Sequence, residues 1–454
     1  MPLTFGDTLG FGANMSDKAR TAIAVLLAIA ALDLSSAPAN AQASIFCPPD
    51  HPMLVAGNCT NPSRTEGSLG VPVLAAQSLS QTSQSITQQS NGATVDGIRK
   101  RRAQEAEPSE TNSGVLMFAP QSISYQDNPL VAAPTPGFFK AGPLYADTGV
   151  HSAVWTYGFG GFERRTADFP TTFQVLEHPV EPENVAVVSN TQMWGVVSGA
   201  DLTFPNMVPG GGTLITGLLT GYTTSNVDVS AISTSPTPNN PGTSSSITHI
   251  RLSGPSAGAY ATVFQGPVSA DLTFKADFLD INDNFFLALG CCVPPHLASG
   301  IVSGHVDNLS AIGNLNYRFL LGANAWVEPT AGFDYTYSLY DNAAQAMGLA
   351  SGYVLRLQDG ARLGWDFFWH GVHITPTITG LLYDDVTVTG GPIVNGAFVG
   401  GQLLPSDEGK LRGEGILAVN FDFRNGLSSF VSGAIYGGED LFGGGGTAGL
   451  RYQW

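Results

Sequence analysis

The chain is poor in charge. Only 12% of its 454 residues are Asp, Glu, Lys or Arg, and the basic residues number 19 against 36 acids. The resulting net charge of -17 excludes a nucleic-acid partner, because phosphate backbones are held by basic surfaces. Long apolar runs are missing beyond the N-terminus. A helical membrane span needs about 20 consecutive apolar residues, so helices do not carry the body of this chain across a bilayer. Cysteine, at 4 residues, is too sparse for a disulfide-built fold of this length. Catalytic spacing is absent as well: His249, His296, His305, His370 and His373 are scattered, with no nucleophile or acid pair beside them. Neither enzymatic activity nor a cofactor is expected.

What the chain has in place of these is alternation, punctuated by 55 glycines. At the C-terminus, Ala448, Leu450, Tyr452 and Trp454 alternate with Gly449, Arg451 and Gln453, a strand with one apolar and one polar face. In the stretch from Val268 to Asp280, Ala270, Leu272, Phe274, Ala276 and Phe278 oppose Asp271, Thr273, Lys275 and Asp277. From Lys410 to Arg424, Leu411, Leu417, Val419, Phe421 and Phe423 oppose Arg412, Glu414, Asn420 and Asp422. A soluble sandwich would turn the apolar face inward, and a membrane barrel would turn it to lipid. Alternation alone does not separate the two.

Connection lengths do. Twelve strands are predicted, near 149–162, 190–204, 212–224, 247–264, 267–280, 305–318, 321–335, 352–365, 371–383, 410–423, 427–437 and 445–454. Between them, long connections (163–189, 225–246, 281–304, 336–351, 384–409) alternate with tight turns such as Gln265-Gly266 and Asn425-Gly426. Long loops on one rim and short turns on the other mark an outer-membrane barrel. The polar residues Asp271, Lys275, Asp277, Arg412, Glu414, Asp422 and Arg451 are then expected to face the lumen. The terminal Ala448, Leu450, Tyr452 and Trp454 are expected to be the strand that barrel-assembly machinery reads. Asp359 breaks the pattern, falling on the apolar face with Tyr353, Leu355 and Leu357.

The N-terminal third differs in composition. Residues 1–41 read as a signal peptide with Met15 as the biological start: Lys18 and Arg20 precede an apolar core, and Ala39-Asn40-Ala41 fits the small-x-small cleavage rule. Residues 42–67 form a short exported segment in which Cys47 and Cys59 are read first as a disulfide. Metal binding by these two with His51 lacks an evident fourth ligand. Cys291 and Cys292 are adjacent, and the sequence leaves them as two thiols or a vicinal disulfide. Residues 68–136 are a weakly helical linker and connection carrying the cluster Arg99, Lys100, Arg101, Arg102. The stretch from Val73 to Gln104 is long enough to cross a barrel, since roughly 20 helical residues span about 30 Å. From Gly137 to Trp454 there are 26 acids and 12 basic residues, so a basic plug complements an acidic lining. The bland alternative is a solvated linker.

From Gly137 to Trp454 the chain resembles the autotransporter translocator domain of type V secretion. The resemblance rests on Val154 to Gly161 in the first strand, Gly258-Ala259-Tyr260-Ala261 in the fourth, Glu328-Pro329 after Trp326 in the seventh, and Ala448 to Trp454 at the end. It implies an all-β membrane protein, a twelve-stranded antiparallel barrel with an α-helical linker through its pore and a short N-terminal passenger. It further implies outer-membrane lipid, the Sec export machinery and the barrel-assembly machinery as partners. A monomer is expected in the outer membrane of a Gram-negative bacterium, with its loops at the cell surface. Where autotransporters usually carry a long β-solenoid passenger, the segment here is short and without repeats. A pore or surface adhesin working through its extracellular loops is the alternative.

Overall fold

The computed structural model describes residues 83–84, 86–92, 94, 149–173, 181–234, 243–289, 296–322, 324–346, 349–390, 407–423 and 426–454, all within one unit spanning Ala41–Trp454. Among the described residues twelve long strands follow one another, with two short pieces, Phe319–Leu320 and Phe367–Trp369, at the turns: β1 (His151–Phe173), β2 (Glu181–Val208), β3 (Gly212–Thr234), β4 (Thr243–Gln265), β5 (Val268–Leu289), β6 (His296–Tyr317), β7 (Ala325–Tyr340), β8 (Gly352–Trp365), β9 (Val372–Val388), β10 (Arg412–Asp422), β11 (Leu427–Gly437) and β12 (Leu441–Gln453). Each pairs antiparallel with the next. The last closes on the first, from Ala153 opposite Gln453 to Arg165 opposite Leu441. Closure leaves the sheet without an open edge, as strands that cross a bilayer require. No helix among the described residues is long and apolar enough to span one.

Phase is constant along the strands except at register shifts near the ends of β2, between Phe204 and Val208, and of β9, between Asp385 and Thr387. On β5, Asp271, Thr273, Lys275 and Asp277 are buried inside, while Leu272 and Phe274 are exposed outside. The terminal strand obeys the same rule: Arg451 points in, and Leu450, Tyr452 and Trp454 point out.

The first three segments expected as long loops, 163–189, 225–246 and 281–304, are largely strand. β1 to β6 run for 22 to 28 residues, against 11 to 13 for β10 to β12, and a tilted strand crosses a bilayer in about 9–11 residues. The surplus stands out of the membrane as a six-stranded wall, still paired as far as Asn184 opposite Thr234 and Ser245 opposite Ala288. In this wall the chemistry of the faces is exchanged. Val185, Val187, Val227, Val229, Ile250, Leu252, Leu279, Ile281 and Val306 are buried inside, and Asn226, Asp228, His249, Arg251, Asp280 and Asn282 are exposed outside. The alternation persists while its polarity flips, and a reading that tracks only the apolar-outward face ends each strand at the flip.

Glycine makes room for inward aromatics. Gly199 lies directly opposite Trp155, and a Cβ there would meet the indole at 2.3 Å. Gly217 opposite Tyr260 repeats the arrangement, with a contact of 2.4 Å.

Candidate functional site

The site is the lumen and the helix within it. Residues 83–84, 86–92 and 94 are helical, and their side chains bond to inward residues of four strands. Asn308 on β6 donates to the hydroxyls of Ser83 and Thr87, at 3.3 and 2.8 Å. Those residues are one turn apart and so share a helix face. Lys275 on β5 donates to Ser90 Oγ at 2.7 Å. Asn91 donates to both carboxylate oxygens of Asp334 on β7, at 3.3 and 3.2 Å, and Gln89 donates to Glu163 on β1 at 2.9 Å. Ser83, Ile86, Thr87, Ser90, Asn91 and Thr94 are all at most 1% exposed. Short neutral polar side chains let the helix approach a charged wall without adding charge, and Ser83, Thr87, Ser90 and Asn91 gain buried partners there.

The wall also neutralises itself. Lys275 Nζ lies 2.7 Å from Asp277. Arg356 and Arg412 flank Asp385 at 2.8 and 3.5 Å, Arg318 and Arg362 flank Glu328 at 3.1 and 3.6 Å, and Arg451 reaches Asp201 at 3.3 Å. Asp407, on the segment preceding β10, meets Arg165 and Arg412. Burial alone would raise its pKa, but the two guanidiniums hold the carboxyl below the usual range. Six of the acids on the inner side, Glu163, Asp201, Asp277, Glu328, Asp385 and Asp407, are thus paired with arginine or lysine of the barrel itself.

Of the residues assigned to the lumen, Asp271 accepts from Asn314 at 2.8 Å. Lys275 and Asp277 pair under the helix, and Arg412 belongs to the cluster around Asp385. Glu414 lines a cavity of about 140 Å³ beside the helix, with Glu163, Arg356, Tyr383 and Tyr436. Asp422 lies in register with the inward His373 and Ser428 at the short-turn rim. Cys47, Cys59, Arg99, Lys100, Arg101 and Arg102 lie outside the described residues, as do Cys291 and Cys292. Outward, Tyr452 and Trp454 stack with ring centroids 6.0 Å apart.

The sequence reading missed the floor of the lumen. Trp155 Nε1 donates to Tyr260 Oη at 3.0 Å, and that hydroxyl donates to Asp201 at 2.9 Å. Arg451 completes the network, tying β1, β2, β4 and β12 together. Trp155 stacks on Tyr157 at 5.3 Å. The signal was present: Trp155, Tyr157 and Phe159 share the parity of Glu163 and Arg165, so charged residues at the strand's far end mark the aromatics as inward.

Above the membrane band, His305 on β6 is held by Asp307 at 2.7 Å and Asp280 at 3.1 Å. The hydrogen bond that the imidazole donates to Asp307, reinforced by Asp280, pushes its pKa up to about 8 against the opposing effect of burial. Asp283, inside the wall, is pushed up to about 7 by burial. Among the described residues no group of His, Cys, Asp and Glu is arranged to hold a metal ion.

No curated protein matches this chain. Solved structures do match, at low identity. The beta domain of the Bordetella autotransporter BrkA is 14% identical over 65% of this chain and 98% of its own, with a TM-score of 0.40. The transport unit of the autotransporter AIDA-I from Escherichia coli is 15% identical over 66% and 90%, at 0.45. The translocator domain of NalP from Neisseria meningitidis is 14% identical over 68% and 89%, at 0.31. The sequence pattern of the autotransporter beta-domain matches residues 154–434. That span exceeds half of the chain, which therefore belongs to the autotransporter family and carries its outer-membrane translocator barrel.

Proposed function

We propose that this barrel inserts into the outer membrane, retains its own linker helix in the lumen, and displays the short segment 42–67 together with its projecting wall at the cell surface. The carrying observation is the seating of the helix: the side chains of Ser83, Thr87, Gln89, Ser90 and Asn91 all bond to the wall. A chain that ends translocation with this segment in place has its preceding residues on the far side of the pore. In this reading the Sec machinery exports the chain, and the assembly machinery recognises Ala448, Leu450, Tyr452 and Trp454. Cys47 and Cys59 close a disulfide in the displayed segment, and the cluster Arg99 to Arg102 lies at the pore. The mechanism is folding and display, without turnover. The test is heat-modifiable gel migration of the membrane fraction combined with protease digestion of intact cells. Cleavage within 42–67 on intact cells is expected, and protection until the outer membrane is opened would sink the reading.

One observation favours the alternative of an adhesin. Near the top of the wall, Ile232, Ile247, Phe286 and Ile301 stand outward and are 45–69% exposed, an apolar patch on an otherwise polar surface of the kind that marks protein contacts. Single-channel conductance with and without residues 68–107 distinguishes a plugged translocator from a working pore.

A further inference from the structure

Asp359 is an acid on the lipid-facing wall. It lies on β8 midway between the outward Trp365 and Tyr353, six residues from each, and Tyr353 pairs with the outward Tyr335 at 5.5 Å. These aromatics mark the two interfaces, so the carboxylate stands between them at the level of hydrocarbon. No register shift moves it: Asp359 is directly opposite Ala331 on β7 and Leu382 on β9, and it has no hydrogen bond or ion pair among the described residues. Ionisable groups at this depth almost always face a protein interior or water.

The surface around it is recessed. The next row toward Trp365, read across four strands, is Pro329, Ala361, Gly380, Gly415. A side chain at Gly380 would meet nothing within 4 Å, and at Gly415 only Ile435 at 3.9 Å. The barrel's own packing therefore does not require glycine at these positions. Leu363, Ile378 and Leu417 bound the groove on one side, and Leu357 and Leu382 on the other.

We infer that this groove is a docking surface for a membrane-embedded segment of a different protein that presents a lysine or arginine to Asp359. Charge complementarity selects the occupant. A carboxylate in hydrocarbon is stabilised by a cation, and lipid tails offer none. A second copy does not supply one either, because the outward basic residues on the described strands, Arg164 and Arg251, both lie at or above the outer end of the apolar band. The groove crosses the strands, so a rod-like segment fits it better than another barrel wall packed strand on strand.

The inference rests on membrane placement and not on passenger display. A photocrosslinking p-benzoylphenylalanine at position 380, irradiated in intact cells, should give one discrete protein adduct, and the same group at position 274, four strands away on β5, should not. The adduct should fall at least roughly tenfold in Asp359→Leu, as expected when one partner of a desolvated pair is removed, and return in Asp359→Glu. Mass spectrometry of the adduct should find a lysine or arginine within an apolar stretch. In phospholipid vesicles without any partner, Asp359→Leu should raise the barrel's unfolding midpoint, because the unpaired carboxylate is gone. An adduct with this chain itself, adducts with lipid only, an undiminished adduct in Asp359→Leu, or an unchanged or lowered midpoint would each overturn the proposal. Heat-modifiable migration of every variant reports insertion separately, so failure of membrane placement is distinguishable from failure of the groove.

Discussion

The membrane band and the wall above it are built by the same strands with opposite chemistry. On β3, Leu218 and Tyr222 point out in the band, and Asn226 and Asp228 point out in the wall. Inward, Thr223 and Ser225 give way to Val227 and Val229. The backbone does nothing different at the crossing. Only the solvent changes, from lipid outside and a polar lumen inside to water outside and a packed apolar interior that Ile86 of the helix joins. A side chain's inward or outward position is thus set by closure of the barrel, and its polarity by the height at which it sits.

Substitutions separate the two regions. The largest effect is expected at the end of the band: Trp454→Asp should abolish assembly while leaving synthesis and export intact. Normal amounts of heat-modifiable barrel would contradict the assembly role of the terminal strand. Next comes the lumen under the helix. Lys275→Met strands Asp277, which is 2% exposed, and removal of one partner of a buried pair costs about 3–5 kcal/mol. Replacing Asp277 by Leu as well should recover much of the loss in urea unfolding. If the single variant matched wild type, the lumen at that point would be wet.

In the wall, Ile281→Ala empties a fully buried site, a change that typically costs about 2–5 kcal/mol. The loss should appear as faster hydrogen exchange in β4 to β6 above the band, with the band itself unaffected. Uniform acceleration would mean that the two regions unfold together. Charge on the outer face gives the sharpest contrast between them. Phe274→Arg in the band should cost about 2–4 kcal/mol, while Asn226→Arg in the wall should stay within about 0.5 kcal/mol, as exposed polar sites do. Equal losses would place both residues in the same solvent. The inward Thr273 is unsuited to this comparison because it is fully buried.

The smallest effect is one of pH. His305 has a folded pKa of about 8, raised above the ordinary value of 6.5. Its bonds to Asp307 and Asp280 therefore contribute fully below pH 6.5 and are lost as pH rises through 8. Protease resistance of the β5–β6 extension should fall between pH 6 and pH 9 in wild type but not in His305→Asn. An equal fall in both would assign the change to other groups.

Much of the architecture was legible along the chain because a closed barrel writes itself in period two. Strand number, the positions of the short turns and the outward set from Leu411 to Phe423 needed only alternation and turn residues. The upper ends of β1 to β6 were not legible in that way, since apolar-inward and apolar-outward stretches look alike once separated from their height. Trp155, Tyr157 and Phe159 required parity carried over from Glu163 and Arg165.

The sequence by itself determined a closed, apolar-jacketed strand architecture, because an unpaired backbone has no place in lipid and the chain beyond its N-terminus has no apolar run long enough for a spanning helix. It also exposed Asp359 as out of pattern. Tertiary structure alone decided which charges meet. Lys275 and Asp277 are near in sequence, but Arg451 and Asp201 lie 250 residues apart, and Asn91 and Asp334 lie 243 apart. Such pairs are fixed by barrel radius, strand register and the seat of the helix, which are properties of closure that no local pattern encodes.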